Sequence, residues 1–362
     1  MKKHIFKPDL PPPQKTHGLI YWLKKNLFYS LTSSIISLIL SVLIIYNITI
    51  FINWALLNAD WLGSTKAQCN SSGACWIFIL VRIQQFIYGF YPDESIWRVN
   101  VFFALSTIFF ILILSKTPNK IKVLSILTYP ILSFIILYGG FWGLLKVDTH
   151  LWGGLLITIV IAVSGIIVSL PLGIILALGR RSKMPIIRSI SIIYIEFWRG
   201  VPLITVLFMA SVMLPLFLNS GTEIDKLSRA LIGVILFSSA YMAEVIRGGL
   251  QAIPKGQYEA SSSLGLTYWK TNCLIIIPQA LKISIPSIVN TFIGLFKDTS
   301  LVLIIGMFDV LGIGQAANND PNWLGFSTES YLFVGIIFWF FCFIMSRYSH
   351  YLEKKLDTNS KK

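Results

Sequence analysis

Long apolar runs alternate with short polar segments over most of the chain. The runs, nearly free of formal charge, fall at 27–52, 99–115, 123–145, 152–179, 189–217, 229–247, 280–305 and 331–347. An α-helix needs about 20 apolar residues to cross about 30 Å of hydrocarbon, and most of the runs approach or exceed that length. The first run also exceeds the apolar core of about 7 to 15 residues in a secretory signal. The pattern therefore predicts eight membrane-spanning helices and an all-α integral membrane fold.

The composition supports this class and narrows the chemistry. Hydrophobic residues make up 55% of the 362 residues and charged residues 13%, a balance that a soluble domain of this size cannot bury. The four cysteines and four histidines are scattered, without the spacing of a zinc site or a catalytic triad. The sequence has no G-x-x-x-x-G-K-[ST] phosphate-binding loop. We expect no metal site and no hydrolytic activity, and any ATP that drives the protein must be held by a partner.

Basic residues are unevenly distributed between the two sides of the predicted membrane. Lys and Arg are concentrated in the N-terminal tail, 116–122, 180–188, 247–279 and the C-terminal tail. Cytoplasmic loops of membrane proteins are rich in these residues, so the asymmetry predicts that both termini are cytoplasmic. It also accounts for the net charge of +14 without nucleic acid, because the basic residues are dispersed over several loops and form no groove with interleaved aromatic residues.

The spans and loops divide the chain near residue 150. We predict a basic cytoplasmic tail over 1–26, an N-terminal transmembrane extension over 27–150, a five-span core over 151–349 and a cytoplasmic tail over 350–362. The extension contains three spans and a long outer loop, 53–98, whose apolar second half we expect at the membrane interface. In that loop, Cys69 and Cys75 either pair in an oxidising compartment or remain two small apolar side chains.

Ionisable residues within the predicted spans are candidates for functional sites, because each charge in hydrocarbon costs at least about 2.5 kcal/mol. Glu196 and Arg199 lie three residues apart near the cytoplasmic end of one span, and Glu244 and Arg247 have the same spacing in the next. Residues at i and i+3 share a helix face and can form an ion pair. We interpret both as structural intramembrane pairs that neutralise their own charges.

Lys297 and Asp298 are different, because adjacent residues point about 100° apart around a helix and cannot neutralise each other on one face. Thr299 and Ser300 follow them, and hydroxyl groups can serve freed backbone groups inside a membrane. An opposite-charge couple in an apolar cavity suits a zwitterionic amino acid, with Lys297 for its carboxylate and Asp298 for its ammonium group. The alternative is that each charge pairs with a residue on a neighbouring helix or subunit.

A polar, small-residue-rich loop over 254–278 lies between the sixth and seventh predicted spans, on the cytoplasmic side. Gly265 can turn the chain between two short helices, and Thr267 can cap the second helix, which we expect to begin at Tyr268. The loop also carries the apolar residues Tyr258, Leu264, Leu266, Tyr268 and Trp269. Exposed apolar surface of this kind predicts a protein partner.

The same loop resembles the EAA loop of ABC importer permeases, whose pattern is E-A-A-x3-G-x9-I-x-L-P. It contains Glu259, Ala260 and Ser261, then three residues, Gly265, nine residues and IIIP at 275–278, with Ser261 and Ile277 as small departures. The stretches YMAEVIRGGLQAIPKGQYEA, PQALKISIPSIVN, FKDTSLV and RGVPLI are similar to the polar amino-acid uptake branch. GACW, GFYPDESIWR, RRSKMPIIR and SRYSHYLEKKLD resemble the general L-amino-acid permease type, so the resemblance covers almost the whole chain.

The resemblance implies a type I ABC importer permease core of five transmembrane helices plus an N-terminal extension of about three, in a bacterial inner membrane. It implies a non-catalytic subunit that works with a homologous permease subunit, a periplasmic amino-acid-binding protein and an ABC ATPase that holds ATP and Mg. The residues that would couple to this ATPase are Gln257, Glu259, Ala260, Ser261, Gly265 and Pro278. A secondary amino-acid transporter and a membrane assembly subunit without transport are the alternatives.

Overall fold

The computed structural model describes residues 18–69, 72–141, 143–217 and 224–356, which form helices joined by loops and contain no β-strand. The α-helices are α1 Leu19–Asn26, α2 Leu31–Ile52, α3 Trp76–Tyr88, α4 Ile96–Leu114, α5 Asn119–Tyr138, α6 Gly154–Arg180, α7 Pro185–Gly200, α8 Leu203–Phe208, α9 Lys226–Gln251, α10 Lys255–Ser263, α11 Tyr268–Thr271, α12 Ile277–Asp298, α13 Val310–Asn318 and α14 Ser327–Leu356. The predicted tail residues 1–17 and 357–362 lie outside the described part.

Among the described residues, seven helices are long and apolar enough to cross a membrane. They are Leu31–Leu57, Asp93–Leu114, Asn119–Tyr138, Gly154–Arg180, Lys226–Gln251, Tyr268–Ile305 and Ser327–Lys355. Each covers most of a predicted run, so the all-α fold with multiple apolar helices is confirmed.

The fifth predicted run, 189–217, is not one straight helix. It falls on Pro185–Gly200 and Leu203–Phe217, which meet at an angle of 102°. Val201 is extended there, with φ −102° and ψ 131°, because the ring of Pro202 disfavours a helical conformation in the residue before it. The predicted run is therefore a bent pair of helices, and the sequence pattern did not show the bend because the apolar residues continue through the break.

The described chain forms two compact units, divided between Ile77 and Phe78. In the first unit, helix α2 has no buried residue, as expected of a helix that faces lipid. Beyond it, Cys69 and Cys75 are joined by a disulfide, with their Cα atoms 5.5 Å apart. The Trp76 ring stacks on Trp61 and donates its indole hydrogen bond to the Ala55 carbonyl, 2.8 Å away.

In the second unit, α6, α9, α12 and α14 pack side by side and form the central bundle. Small residues allow the close approach, as is common between membrane helices. A side chain at Gly173 of α6 would begin 2.7 Å from Met242 of α9, and one at Gly249 of α9 would begin 2.5 Å from the Ala280 carbonyl of α12. These close contacts fix the register of α9 against α6 and α12.

The apolar segment after the disulfide forms helix α3, which at 13 residues is too short to span a membrane. Within the second unit, its fully buried Phe78 packs against Trp323, and its fully buried Phe86 packs edge-on against Phe333 of α14. One face of α3 is therefore covered by protein.

Candidate functional site

The polar loop has the bend that its glycine predicts. Helix α10 ends at Ser263, and Gly265 adopts φ +69°, the left-handed region that favours glycine. The amide of Gly265 donates to the Ser262 carbonyl at 3.0 Å, and the amide of Leu266 donates to the Ser261 carbonyl at 3.1 Å. This pair of hydrogen bonds is a Schellman motif, which satisfies the last carbonyls of a helix and turns the chain away.

The second half of the loop differs from the prediction. Helix α11 begins at Tyr268 as expected, but it continues through a π-helical turn, Asn272–Ile276, into α12. The whole segment from Tyr268 to Ile305 is one helix of 38 residues, so the predicted second short helix is the start of the following span. Thr267 is the N-cap residue of this helix, as predicted, but its side chain forms no capping hydrogen bond.

Five of the six motif residues are exposed, and Ser261 is buried. The exposed residues are Gln257, Glu259, Ala260, Gly265 and Pro278. Ser261 is buried, and its hydroxyl donates to the Tyr258 carbonyl within its own helix at 2.8 Å, which explains why serine can replace the alanine of the motif. Gln257 accepts a hydrogen bond from Gln279 at 3.3 Å.

Three large apolar side chains project from the bend. Leu264 is 76% exposed, Tyr268 56% and Trp269 66%. Leu266 and Tyr258, which the sequence also marked as exposed, are only partly so. Contiguous exposed apolar residues rimmed by polar ones are typical of a protein-binding surface.

The intramembrane charges form one cluster across three helices. Arg180, at the end of α6, donates to Glu196 of α7 and to Glu244 of α9, both at 2.8 Å. Arg247 donates to Glu244 at 2.6 Å, as its spacing predicts, and Arg199 approaches the same carboxylate at 3.7 Å. The Glu244 carboxylate therefore forms ion pairs with three arginines.

The predicted pairing of Glu196 with Arg199 is absent among the described residues. Arg199 lies over the ring of Tyr241 on α9, 5.6 Å from its centroid, and Glu196 binds Arg180 instead. Each of the two residues therefore contacts a residue on a neighbouring helix instead of the one on its own helix. Sequence spacing alone could not show this, although two consecutive arginines at the end of a span were a visible signal.

The candidate substrate residues lie where α12 ends. Thr299 is buried and donates to the Phe296 carbonyl at 2.8 Å, and Ser300 donates to the Lys297 carbonyl at 2.9 Å. The hydroxyls thus serve the backbone of their own helix. Lys297 is exposed and Asp298 half-buried, and neither side chain forms a hydrogen bond or ion pair with another described residue. Both charges remain available to a ligand or a neighbouring subunit.

Asp309 is a buried carboxyl that the sequence did not single out. One oxygen accepts the amide of Gly312 at 2.8 Å and caps α13, while the other has no hydrogen-bond partner among the described residues. Burial raises the pKa of Asp309 to about 6, and the backbone hydrogen bonds oppose this shift. The carboxyl lies between two spans, 306–326, on the membrane side opposite to α10.

Comparison with known proteins identifies the class. Residues 169–358 match the family model described as "Binding-protein-dependent transport system inner membrane component". The chain therefore belongs to this family of membrane transport subunits.

Two relatives match almost the whole chain. It is 54% identical over 355 residues to the inner membrane amino-acid ABC transporter permease protein YhdY of Escherichia coli K12, covering 97% of this chain and 96% of the relative. It is 40% identical over 420 residues to the glutamate/glutamine/aspartate/asparagine transport system permease protein BztC of Rhodobacter capsulatus, covering 96% and 95%.

A solved structure is also similar. A chain from the crystal structure of an amino acid ABC transporter with histidines has a TM-score of 0.50 and 29% identity, covering 56% of this chain and 92% of its own. The shared part is thus about the length of the C-terminal core.

Proposed function

We propose that the chain is the permease subunit of an ABC importer that takes up polar L-amino acids. The observation that carries the proposal is the 54% identity to an amino-acid ABC transporter permease over nearly the full length of both chains. The second full-length relative is named for four polar amino acids, which supports a polar or broad specificity. A secondary transporter or a non-transporting assembly subunit is not favoured by this family match.

The partners follow from the same assignment. A periplasmic binding protein delivers the amino acid, and a homologous permease subunit completes the translocation path. ATP and Mg are bound and ATP is hydrolysed by a separate ABC ATPase. The basic residues of the tails and of the segment carrying α10 support an orientation with both termini in the cytoplasm.

The bend at Gly265 is the proposed contact with the ATPase. Leu264, Tyr268 and Trp269 enter a cleft on that subunit, and Glu259 anchors the rim of the contact. When ATP closes the ATPase subunits, the docked bend moves with them. Because the chain continues without interruption from Tyr268 to Ile305, that displacement is carried along one helix across the membrane.

A reconstitution experiment tests this function. The permease, its homologous subunit, ATPase and binding protein are placed in liposomes, and uptake of radiolabelled glutamate, glutamine and histidine is measured with and without ATP inside. We expect uptake only in the presence of ATP, ATPase and binding protein. Uptake driven by an ion gradient without the ATPase would contradict the proposal.

Lys297 and Asp298 are the proposed contacts for the carboxylate and ammonium groups of the substrate. We expect Lys297→Ala to reduce uptake at least about tenfold, because a lost charge-assisted hydrogen bond costs about 1.5 to 3 kcal/mol. The measurement is initial uptake rate in the same liposomes. Lys282→Ala is the matched control, because Lys282 lies on the same helix, 15 residues nearer α10. Unchanged uptake in Lys297→Ala would show that Lys297 does not bind the substrate.

A further inference from the structure

Helix α6 ends at Arg180 and Arg181 follows it directly, and the two side chains contact different parts of the molecule. Arg180 enters the charge cluster and donates to Glu196 of α7 and Glu244 of α9, both at 2.8 Å. Arg181, the next residue, contacts the end of α9 and the bent cytoplasmic segment. The residue that enters the charge cluster and the residue that contacts α10 are therefore consecutive in the chain.

The contacts of Arg181 are specific in geometry. Its guanidinium donates to the Leu250 carbonyl at 2.8 Å and to the Tyr258 hydroxyl at 3.1 Å. The same group lies over the Tyr258 ring, 5.5 Å from the centroid, which adds a cation–π attraction. Tyr258 lies on α10 immediately before Glu259. This contact therefore holds α10, the helix that is followed by the bend at Gly265.

The charge cluster lies next to the broken span. Glu196 and Arg199 occupy the last turns of α7, directly before the 102° break at Val201 and Pro202. A shift of α10 that pulls on Arg181 also displaces Arg180, because the two are consecutive. The ion pair between Arg180 and Glu196 then transmits the displacement to α7 and to its junction with α8.

We propose that Arg181 is a positioning residue that ties α10 to the end of α6 and, through Arg180, carries the motion of α10 to the charge cluster and the α7–α8 break. This inference rests on the proposed coupling of α10 to an ATPase. It adds a second path for that motion, beside the continuous helix from Tyr268 to Ile305, and it assigns the coupling role to a residue outside the EAA loop.

The complete complex in liposomes tests the proposal through the ratio of ATP hydrolysed to amino acid taken up. We expect Arg181→Ala to raise this ratio at least about fivefold, the lower end of the range for a coupling between two sites. Arg181→Lys keeps the charge and should restore part of the coupling. Tyr258→Phe keeps the ring but removes the hydroxyl, so its ratio should lie between those of the wild type and Arg181→Ala.

Arg188→Ala is the matched control. Arg188 is an exposed arginine on α7, close in sequence, whose side chain forms no hydrogen bond or ion pair with another described residue. Its ratio should equal that of the wild type. In the double variant Arg181→Ala with Tyr258→Ala, the effects should be less than additive, because both changes remove the contact between Arg181 and Tyr258. Equal ratios in Arg181→Ala and Arg188→Ala would overturn the proposal, and so would a proportional fall of hydrolysis and uptake.

Hydrogen exchange of the α10 amides separates this inference from the proposed function. We expect faster exchange over 255–263 in Arg181→Ala than in Arg188→Ala, in the assembled complex without nucleotide. Absence of any ATP-dependent uptake by the wild type would refute the proposed function, whereas unchanged exchange in Arg181→Ala would refute the tether itself.

Discussion

Replacing Glu244 with alanine is expected to destabilise the permease by about 3 kcal/mol. The substitution leaves Arg180, Arg199 and Arg247 facing one another without the carboxylate that serves all three. Breaking a buried ion pair costs about 3 to 5 kcal/mol, and the lower end applies because the arginine side chains remain 23% to 35% exposed. Unfolding by detergent titration in mixed micelles measures the change in free energy.

Glu196→Ala is the control that the cluster itself offers. Glu196 is 54% exposed, and among the described residues its one ion-pair partner is Arg180, so its loss should cost less than about 1 kcal/mol. Glu244→Gln should fall between the two alanine variants, because the amide still accepts hydrogen bonds but carries no charge. Equal costs for Glu244→Ala and Glu196→Ala would show that Glu244 does not organise the cluster.

Gly265→Val is expected to reduce amino-acid uptake about five- to thirtyfold while the protein still inserts into the membrane. Gly265 adopts φ +69°, where a side chain with a Cβ costs about 1 to 2 kcal/mol. Apart from the glycine and its two chain neighbours, no described residue has a heavy atom within 4 Å of the position that a Cβ would occupy, so the penalty comes from the backbone alone. Uptake and ATP hydrolysis in liposomes measure the loss of coupling.

Gly256→Val places the same side chain in α10, the short helix that precedes the bend. Gly256 also has open space around it, but its φ lies outside the left-handed region, so uptake should change little. Gly265→Asn should retain most of the uptake, because asparagine tolerates the left-handed conformation better than other residues. Full uptake by Gly265→Val would mean that the bend is not needed for coupling.

The Schellman bend was predictable because it depends on local chemistry. A glycine after a short polar helix is enough to indicate a left-handed residue, and Gly265 has that conformation. The continuation of the helix from Tyr268 was not predictable in the same way. Its polar start, Tyr268–Thr271, resembles a separate helix in sequence, but the π-helical turn Asn272–Ile276 joins it to the apolar span.

The break in the predicted fifth span was missed for a different reason. Hydropathy is averaged over a window of many residues, so a break of two residues does not change it. The steric effect of Pro202 acts on the single residue before it. Gly200 and Pro202 were visible in the sequence as weak points. The angle of 102° was not, since it depends on how α7 and α8 pack against α6 and α9.

By itself, the sequence determined the all-helical membrane class, most of the spans, the bend at Gly265 and the family, because these depend on hydropathy, local backbone preference and motif spacing. The sequence also predicted the pair of Glu244 and Arg247, but only the tertiary structure decided which charges meet between helices. Ion-pair partners are chosen by distance between helices, so Glu196 joins Arg180, 16 residues away, rather than Arg199, and Glu244 joins three arginines from three helices. Arg181 and Tyr258, 77 residues apart, meet for the same reason.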